Sequence, residues 1–408
     1  MEPRARNMLV GWATSRVCAI TRFWGLSAAG FAATAVGFGP ARMGFGLFVP
    51  EFRSAFSMTT SEVGLVSSLA FLGFFIGLLA AQVLLDRRGP GLPVLSGLVA
   101  ATCGMGIVTI APSLPVLALG VFVAASSAGL AWTPFNNAIH RNVRDQDRAT
   151  ALSVVSTGTA TGIALAGIAA LVIVIGDVSW RFAWAFFATA SAVALVGNRR
   201  TFRQVDGTAG GGPGDGWRDL ATIRALPLYT IGFAYGTTSA IYISFAADHV
   251  AMAGGVPGVS GQATPALVYI CYGLFGLTGL LTGRAREMIG LPMLLRFLMM
   301  SGAVSVALVA LAPETWAGLA VSAGLQGVHV MMTSAVLAFW SDRLFPSLPS
   351  LGLTAAMLAA AAGSVFGPAV AGAASGALGA EAMFLGTAAL PAATALLLRD
   401  RHARERLT

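Results

Sequence analysis

The chain has 408 residues, of which 56% are hydrophobic and only 10% charged, and its mean hydropathy is +0.78. Soluble domains carry about 25% charged residues, so this composition excludes a soluble enzyme or binding module and points to a polytopic membrane protein. All 25 basic residues are arginine and the net charge is +8, but they are spaced between apolar segments rather than gathered on one basic surface. The basic pI of about 10.4 therefore speaks for membrane topology and anionic lipid, not for nucleic acid.

Residues 1–23 form a polar N-terminal tail whose Arg4, Arg6, Arg16 and Arg22 interrupt any cleavable signal peptide. Twelve apolar stretches long enough to cross a bilayer follow. The first six cover 24–50, 62–84, 92–111, 115–138, 149–175 and 180–198, which together make an N-terminal bundle over 24–198. The segment RRTFRQVDGTAGGGPGDGWRDLATIR, 199–224, is rich in Gly and mixed charge and reads as a flexible linker, its last part a candidate interfacial helix. The second six cover 225–247, 263–283, 291–311, 316–340, 351–376 and 380–398, a C-terminal bundle over 225–398, before a tail at 399–408. Cys18, Cys103 and Cys271 are far apart and lack metal spacing, so they read as small apolar packing residues. No metal site is expected.

An even number of spans places both termini on one side. If that side is cytoplasmic, 21 of the 25 arginines fall in cytoplasmic segments, leaving Arg53 and Arg181 outside and Arg42 and Arg296 in or near the membrane. This bias is the positive-inside rule, and it predicts a multi-pass protein of the inner membrane with both termini cytoplasmic. Arg296, about five residues into its span, is expected to snorkel to the cytoplasmic face.

The two halves repeat one another. GTATGIALAG at 158–167 and GSVFGPAVAG at 363–372 carry glycines at the same spacing in the fifth span of each half, and GLPVL at 91–95 and GLPML at 290–294 open the third. A six-plus-six repeat predicts a substrate site where two rocking bundles meet.

After the second span the sequence reads LLDRRGPGLPVL, 84–95, and WRFAWAF, 180–186, opens the sixth. The first stretch resembles the cytoplasmic loop signature of the major facilitator superfamily, matched at Asp86, Arg87 and Gly89; Gln82 stands where a glycine is usual, and Pro90-Gly91 replaces the usual basic pair. WRFAWAF is similar to that family's usual start of helix six. The corresponding loop of the second half, TGRAREMIG at 282–290, keeps its arginines and lacks the aspartate. The resemblance implies an all-α integral membrane fold, with twelve transmembrane helices in two pseudo-symmetric six-helix bundles. It also implies a conformational latch of Asp86, Arg87 and Gly89, with Asp86 set near Ser350 against the N-terminus of helix eleven, where a carboxylate gains from the dipole. Helices one, four, seven and ten are implied to line the pathway.

Arg42 is the only charge inside the first span, and Pro40 and the glycines at 37, 39, 44 and 46 loosen the helix around it. An arginine at a helix centre costs about 2.5–3.5 kcal/mol on insertion scales, which an aqueous cavity or an anion offsets. No Asp or Glu lies well inside any span. Arg42 is thus expected to bind an anionic substrate, carboxylate or phosphate, through its guanidinium. The alternative is a structural role, reaching outward to Glu51 or bonding carbonyls freed by Pro40. Candidate substrate-binding partners are Trp132 and Asn136, with Thr133 and Asn137 beside them. Tyr235, Thr238 and Tyr242 share one face of helix seven, and Gln326 and His329, with Thr333, share one face of helix ten.

The sequence thus supports a secondary transporter for a small organic anion, working by alternating access as a monomer. A multidrug or metabolite exporter and a transporter-like sensor stand as alternatives. A proton or an exchanged solute is a candidate coupling partner. His329, close to the middle of its span, is either a proton carrier or a neutral packed histidine. The four histidines are too scattered for an enzyme site, and there is no Walker or dinucleotide loop, so neither catalysis nor a cofactor is expected.

Overall fold

The computed structural model describes residues 23–203, 217–220, 222–399 and 403; the N-terminal tail, most of the linker and most of the C-terminal tail lie outside the described residues. The first crossing, α1, runs over 23–47 and changes pitch midway. Pro40 has no amide hydrogen to close an α-helical bond, and the turn Gly37–Ala41 widens to a π-helix before α-geometry resumes over Arg42–Leu47. Phe48, at φ −106° and ψ 16°, then turns the chain into the short surface helix α2 (Val49–Phe56).

Crossing two, α3 (Thr60–Arg88), begins at a reciprocal cap: the Thr59 hydroxyl accepts from the Glu62 amide, and the Glu62 carboxylate accepts from the Thr59 amide. Crossings three to six are α4 (Gly91–Ile110), α5 (Leu114–Asn142), α6 (Asp145–Ile175) and α7 (Trp180–Phe202). Past the linker come α8 (Leu226–Met252) and α9 (Thr264–Gly276), the latter continuing through a 3-10 stretch, Leu277–Leu281, into α10 (Thr282–Leu311). α10 breaks at Gly290, so that its first part completes crossing eight and the remainder forms crossing nine. α11 (Trp316–Leu344), α12 (Pro349–Leu378) and α13 (Ala380–Leu397) are crossings ten to twelve.

These twelve crossings match the predicted stretches, with the helices running a few residues further into their polar flanks, as in Thr60–Arg88 against 62–84 and Asp145–Ile175 against 149–175. Inside the helix the backbone is satisfied by its own hydrogen bonds, so nothing stops it at the apolar boundary. The sequence match between GLPVL and GLPML is two residues out of structural register. The residues that occupy the left-handed region before the third helix of each half are Gly89 (φ 73°) and Gly290 (φ 76°), whereas Gly91 is helical. Only glycine takes that conformation without strain.

The glycine repeat of the fifth and eleventh crossings has an equivalent job in both halves. Gly158 and Gly162 of α6 lie against the α1 backbone at Phe31 and Ala35, while Gly363 and Gly367 of α12 lie against α8 at Phe233 and Thr237. Further along, Gly167 meets Ala266 of α9, and Gly372 meets Thr60 of α3. One end of each repeat binds its own bundle and the other reaches across to the opposite bundle. The bundles therefore touch along two seams, α3 with α12 and α6 with α9.

Arg296 reaches along its helix to the end of the last crossing. Its Nε and one terminal nitrogen both donate to the Leu398 carbonyl, at 3.1 and 2.9 Å. A cation at the C-terminal end of a helix offsets the dipole and an unsatisfied carbonyl, so Arg296 points to that end of the bundle, as expected of a snorkelling arginine, and there ties crossing nine to crossing twelve.

Candidate functional site

Arg42 sits one turn beyond Phe38, directly after the π-turn, and this local geometry directs it at the face of α3. Its guanidinium carbon lies 4.0 Å from the centre of the Phe74 ring and 5.5 Å from those of Phe38 and Phe71. Stacking on aromatic faces recovers part of the desolvation cost of a buried cation. It leaves the hydrogen-bonding edge of the guanidinium unused: Nε is buried with no partner, and among the described residues the side chain makes no ion pair or hydrogen bond. Arg42 reaches neither Glu51 nor the carbonyls around Pro40, which removes both structural alternatives that the sequence left open.

Across from it, on the second bundle, Tyr235 of α8 and Tyr272 of α9 are close enough to interact electrostatically with Arg42. Tyr235 donates a 3.4 Å hydrogen bond to the Val330 carbonyl, and the Tyr272 hydroxyl is fully buried without a partner. Tyr272 and the ring trio Phe38, Phe71 and Phe74 were not legible as site residues. Tyr269 and Tyr272 stand three apart, which signals a shared helix face, but crossing eight is not among the helices that the family resemblance marks as pathway-lining.

On α5, Trp132 packs edge-on to Phe38 with ring centres 6.5 Å apart and is half-buried. Below it, the side-chain oxygens of Thr133, Asn136 and Asn137 are buried without partners. Buried polar atoms are nearly always satisfied, so this run is a hydrogen-bonding surface whose partner is not another part of the described chain.

Several candidates turn elsewhere. His329 is fully buried, and its Nδ1 lies 2.7 Å from the Leu298 carbonyl, with the ring wedged against Gly302. Gln326 accepts from Ser305 at 3.1 Å. Both thus face crossing nine rather than Arg42, the stripe pairing with Ser305 and the Leu298 carbonyl of α10. Tyr235 still touches the His329 ring, at 5.5 Å between centres. Tyr242 accepts from Ser322 at 3.2 Å and borders a void of about 10 Å³ inside the second bundle, while Thr238 bonds its own helix at the Ala234 carbonyl. The face shared by Tyr235, Thr238 and Tyr242 is split: only Tyr235 points at Arg42.

Around Asp86 the hydrogen bonds run through Gln82. Asp86 is half-exposed and accepts two bonds of 3.2 Å from the Gln82 amide, whose oxygen accepts from Thr354 of α12 at 3.2 Å. Gln82, which replaces the usual glycine, therefore carries the contact from Asp86 to the second bundle. Arg87 is exposed, and Gly89 supplies the left-handed turn that ends α3. The Ser350 side chain lies outside the described residues.

At the opposite end of the molecule, Arg53 of α2 bridges the bundles. Its Nε donates to Asp248 of α8 at 2.8 Å, and its terminal nitrogens to the Met58 carbonyl (2.9 Å) and the Thr60 hydroxyl (3.0 Å). Beside this pair, Gly46 of α1 meets the Ile243 carbonyl of α8, which also accepts from Tyr269 at 3.0 Å.

The comparisons agree with this architecture. The profile of the Major Facilitator Superfamily matches residues 26–290. No curated protein matches the sequence. Among solved structures, a bacterial homologue of the human lysosomal transporter Spinster, inward-facing and unoccupied, superposes with a TM-score of 0.70 at 15% identity, over 96% of this chain and 99% of that one. A variant of the nucleoside transporter NupG gives 0.70 at 12% identity over 92% and 98%. A POT family transporter in complex with 5-aminolevulinic acid gives 0.69 at 12% over 93% and 94%. At such identities the structures speak for the fold alone, and the profile for the family: the chain is a multi-pass secondary transporter, not an enzyme, and belongs to the Major Facilitator Superfamily.

Proposed function

We propose that the protein moves a small organic anion, carboxylate-like, by alternating access, with Arg42 as its ionic anchor. The observation that carries this reading is the free edge of the Arg42 guanidinium. One face is covered by Phe74, no carboxylate balances the charge among the described residues, and Tyr272 and Asn136 offer hydrogen-bonding atoms with no other partner. A lone buried cation is costly, and a substrate carboxylate bound edge-on supplies the missing charge and two hydrogen bonds together. The binding set is accordingly Arg42 with Trp132 and Asn136 on the first bundle and Tyr235 and Tyr272 on the second; Thr238, Tyr242, Gln326 and His329 support it from within the second bundle. The arginine distribution supports a bacterial inner-membrane protein with the Asp86 end and the linker on the cytoplasmic side, and the outlined division at 24–198 and 225–398.

The experiment is a thermal-shift screen of the detergent-purified protein with small carboxylates, inorganic phosphate and lipophilic cations. A ligand that binds only the folded state raises the melting temperature by mass action. Stabilisation by a carboxylate class that disappears in Arg42→Ala is the expected result. Stabilisation by cations alone, unchanged in Arg42→Ala, overturns the anion reading in favour of an exporter of cations.

A further inference from the structure

The Arg53 end holds more negative than positive charge. Arg53 and Glu51 lie two residues apart on α2, and Asp248 faces them from α8. Asp248 is 3% exposed; one carboxylate oxygen takes the Arg53 bond, and the other is buried without a partner. A Glu51 oxygen is buried without a partner as well. The remaining charged groups around the cluster are committed elsewhere. Glu62 is exposed and caps Thr59. Arg181 donates to the Thr109 and Ala111 carbonyls and stacks on Trp180. His249, next to Asp248, turns onto the Phe384 ring, towards Glu381. A second carboxyl, Glu51, thus lies part-buried and without an ion-pair partner beside a pair drawn from both bundles. Burying a second carboxylate beside a pair that is already neutral leaves a net charge with no counter-ion.

We infer that Glu51, Asp248 and Arg53 form a proton-binding site completed only when the two bundles close at this end, so that closure takes up one proton. With Glu51 protonated the cluster is neutral, and the carboxyl has a hydrogen to donate to the unpartnered oxygens around it. When the bundles part, Asp248 leaves with the second bundle, Glu51 meets water, and the proton is released. Glu51 lies just beyond the end of the first apolar span. Burial raises its carboxyl, a bond from its own backbone lowers it and the neighbouring Asp248 raises it, for a net value of about 7; in water a glutamate sits near 4.3. The sign follows: a group whose pKa is higher in the closed state favours closure at low pH, and that contribution is lost as pH rises through about 7. Between pH 6 and pH 8 the closing constant falls about tenfold on these two values.

The test measures closure directly by pulsed electron resonance distances in lipid nanodiscs. Spin labels go on Ala55→Cys and Gln262→Cys, both exposed on this end, in a chain whose three native cysteines are replaced. The short-distance population is expected to fall about tenfold relative to the long one from pH 6 to pH 8. Glu51→Gln is expected to abolish that dependence. Asp248→Asn is expected to move its midpoint to lower pH, because the negative charge that raises Glu51 is gone. A population that does not change with pH, the same dependence in Glu51→Gln, or an unshifted midpoint in Asp248→Asn overturns the inference. Closure at pH 8.5 that appears in sodium and vanishes in choline overturns it in another way, by making the site one for a metal cation. None of these outcomes touches the Arg42 reading, which stands or falls on anion stabilisation.

Discussion

Replacing Gly46 by alanine isolates the packing component of closure at the Arg53 end. A Cβ on residue 46 would lie 2.5 Å from the Tyr269 hydroxyl and 2.9 Å from the Ile243 carbonyl carbon, and closer still to that carbonyl oxygen. Ordinary contacts begin near 3.4 Å. The obstacle is main chain, held by the Tyr269 bond, so no rotamer change relieves it, and α1 and α8 must separate by about 1 Å. Overpacking of this kind costs about 1–3 kcal/mol, and 1.4 kcal/mol is tenfold in an equilibrium constant, so the closing constant should fall by about 5- to 150-fold. Alanine also gains up to about 1 kcal/mol of helix propensity over glycine, but it does so in the open and closed states alike and cancels from the ratio. The nanodisc distance measurement reads that ratio at fixed pH. Gly106→Ala is the control, since nothing lies within 4 Å of the Cβ it would carry. An unchanged short-distance population in Gly46→Ala refutes the claim that this contact belongs to the closed state alone.

Tyr272→Phe removes a buried hydroxyl that has no partner in the chain; the melting temperature of the free protein should hold or rise, while the stabilisation given by the bound anion falls. If both are unchanged, Tyr272 does not touch the substrate. His329→Leu breaks the bond to the Leu298 carbonyl and should lower thermal stability by about 1–3 kcal/mol while leaving the KM and pH profile of uptake in proteoliposomes intact. An altered pH profile restores His329 as a proton carrier. Gln82→Leu cuts the relay from Asp86 to Thr354; faster alkylation of a cysteine at the linker end of α12 is expected, and an unchanged rate rules out the relay as a contact between the bundles.

The twelve crossings were legible because a bilayer imposes one requirement on every spanning helix, a run of about twenty apolar residues, and the sequence meets it twelve times. The cation at Arg42 was legible for the same reason: a charge inside such a run is costly enough to need a cause. The partners of that charge were not. Phe71 and Phe74 are apolar residues in an apolar helix, and no composition rule separates a ring that stacks on an arginine from one that faces lipid. The polar stripe of α11 shows a second limit. Gln326 and His329 share a helix face, as their spacing says, but spacing does not say which neighbour that face meets, and Ser305 and the Leu298 carbonyl of crossing nine were the unread half of the pairing. Gln82 shows a third limit. Measured against the family pattern it is a departure, yet it carries the one hydrogen-bonded path from Asp86 to the second bundle among the described residues.

The first crossing joins the two ends of the reasoning. Pro40 widens its backbone to a π-turn that aims Arg42 at the aromatic wall; six residues on, Gly46 brings the same helix onto the α8 main chain, and beyond Phe48 the chain delivers Glu51 and Arg53 to the opposing Asp248. Anchor and close contact therefore sit on one helix, and the ion pair follows just across the turn at Phe48. On the proposed reading, an anion held at Arg42 and bonded to Tyr235 and Tyr272 ties the second bundle to α1, the helix that also carries Gly46 against Ile243 and leads to the Arg53–Asp248 pair. Substrate binding and closure at the Arg53 end then share one element with two arrangements, which is the physical condition for coupling between sites. A chain in which Arg42 keeps its charge but Gly46 is filled should accordingly bind the anion more weakly, although residue 46 never touches it.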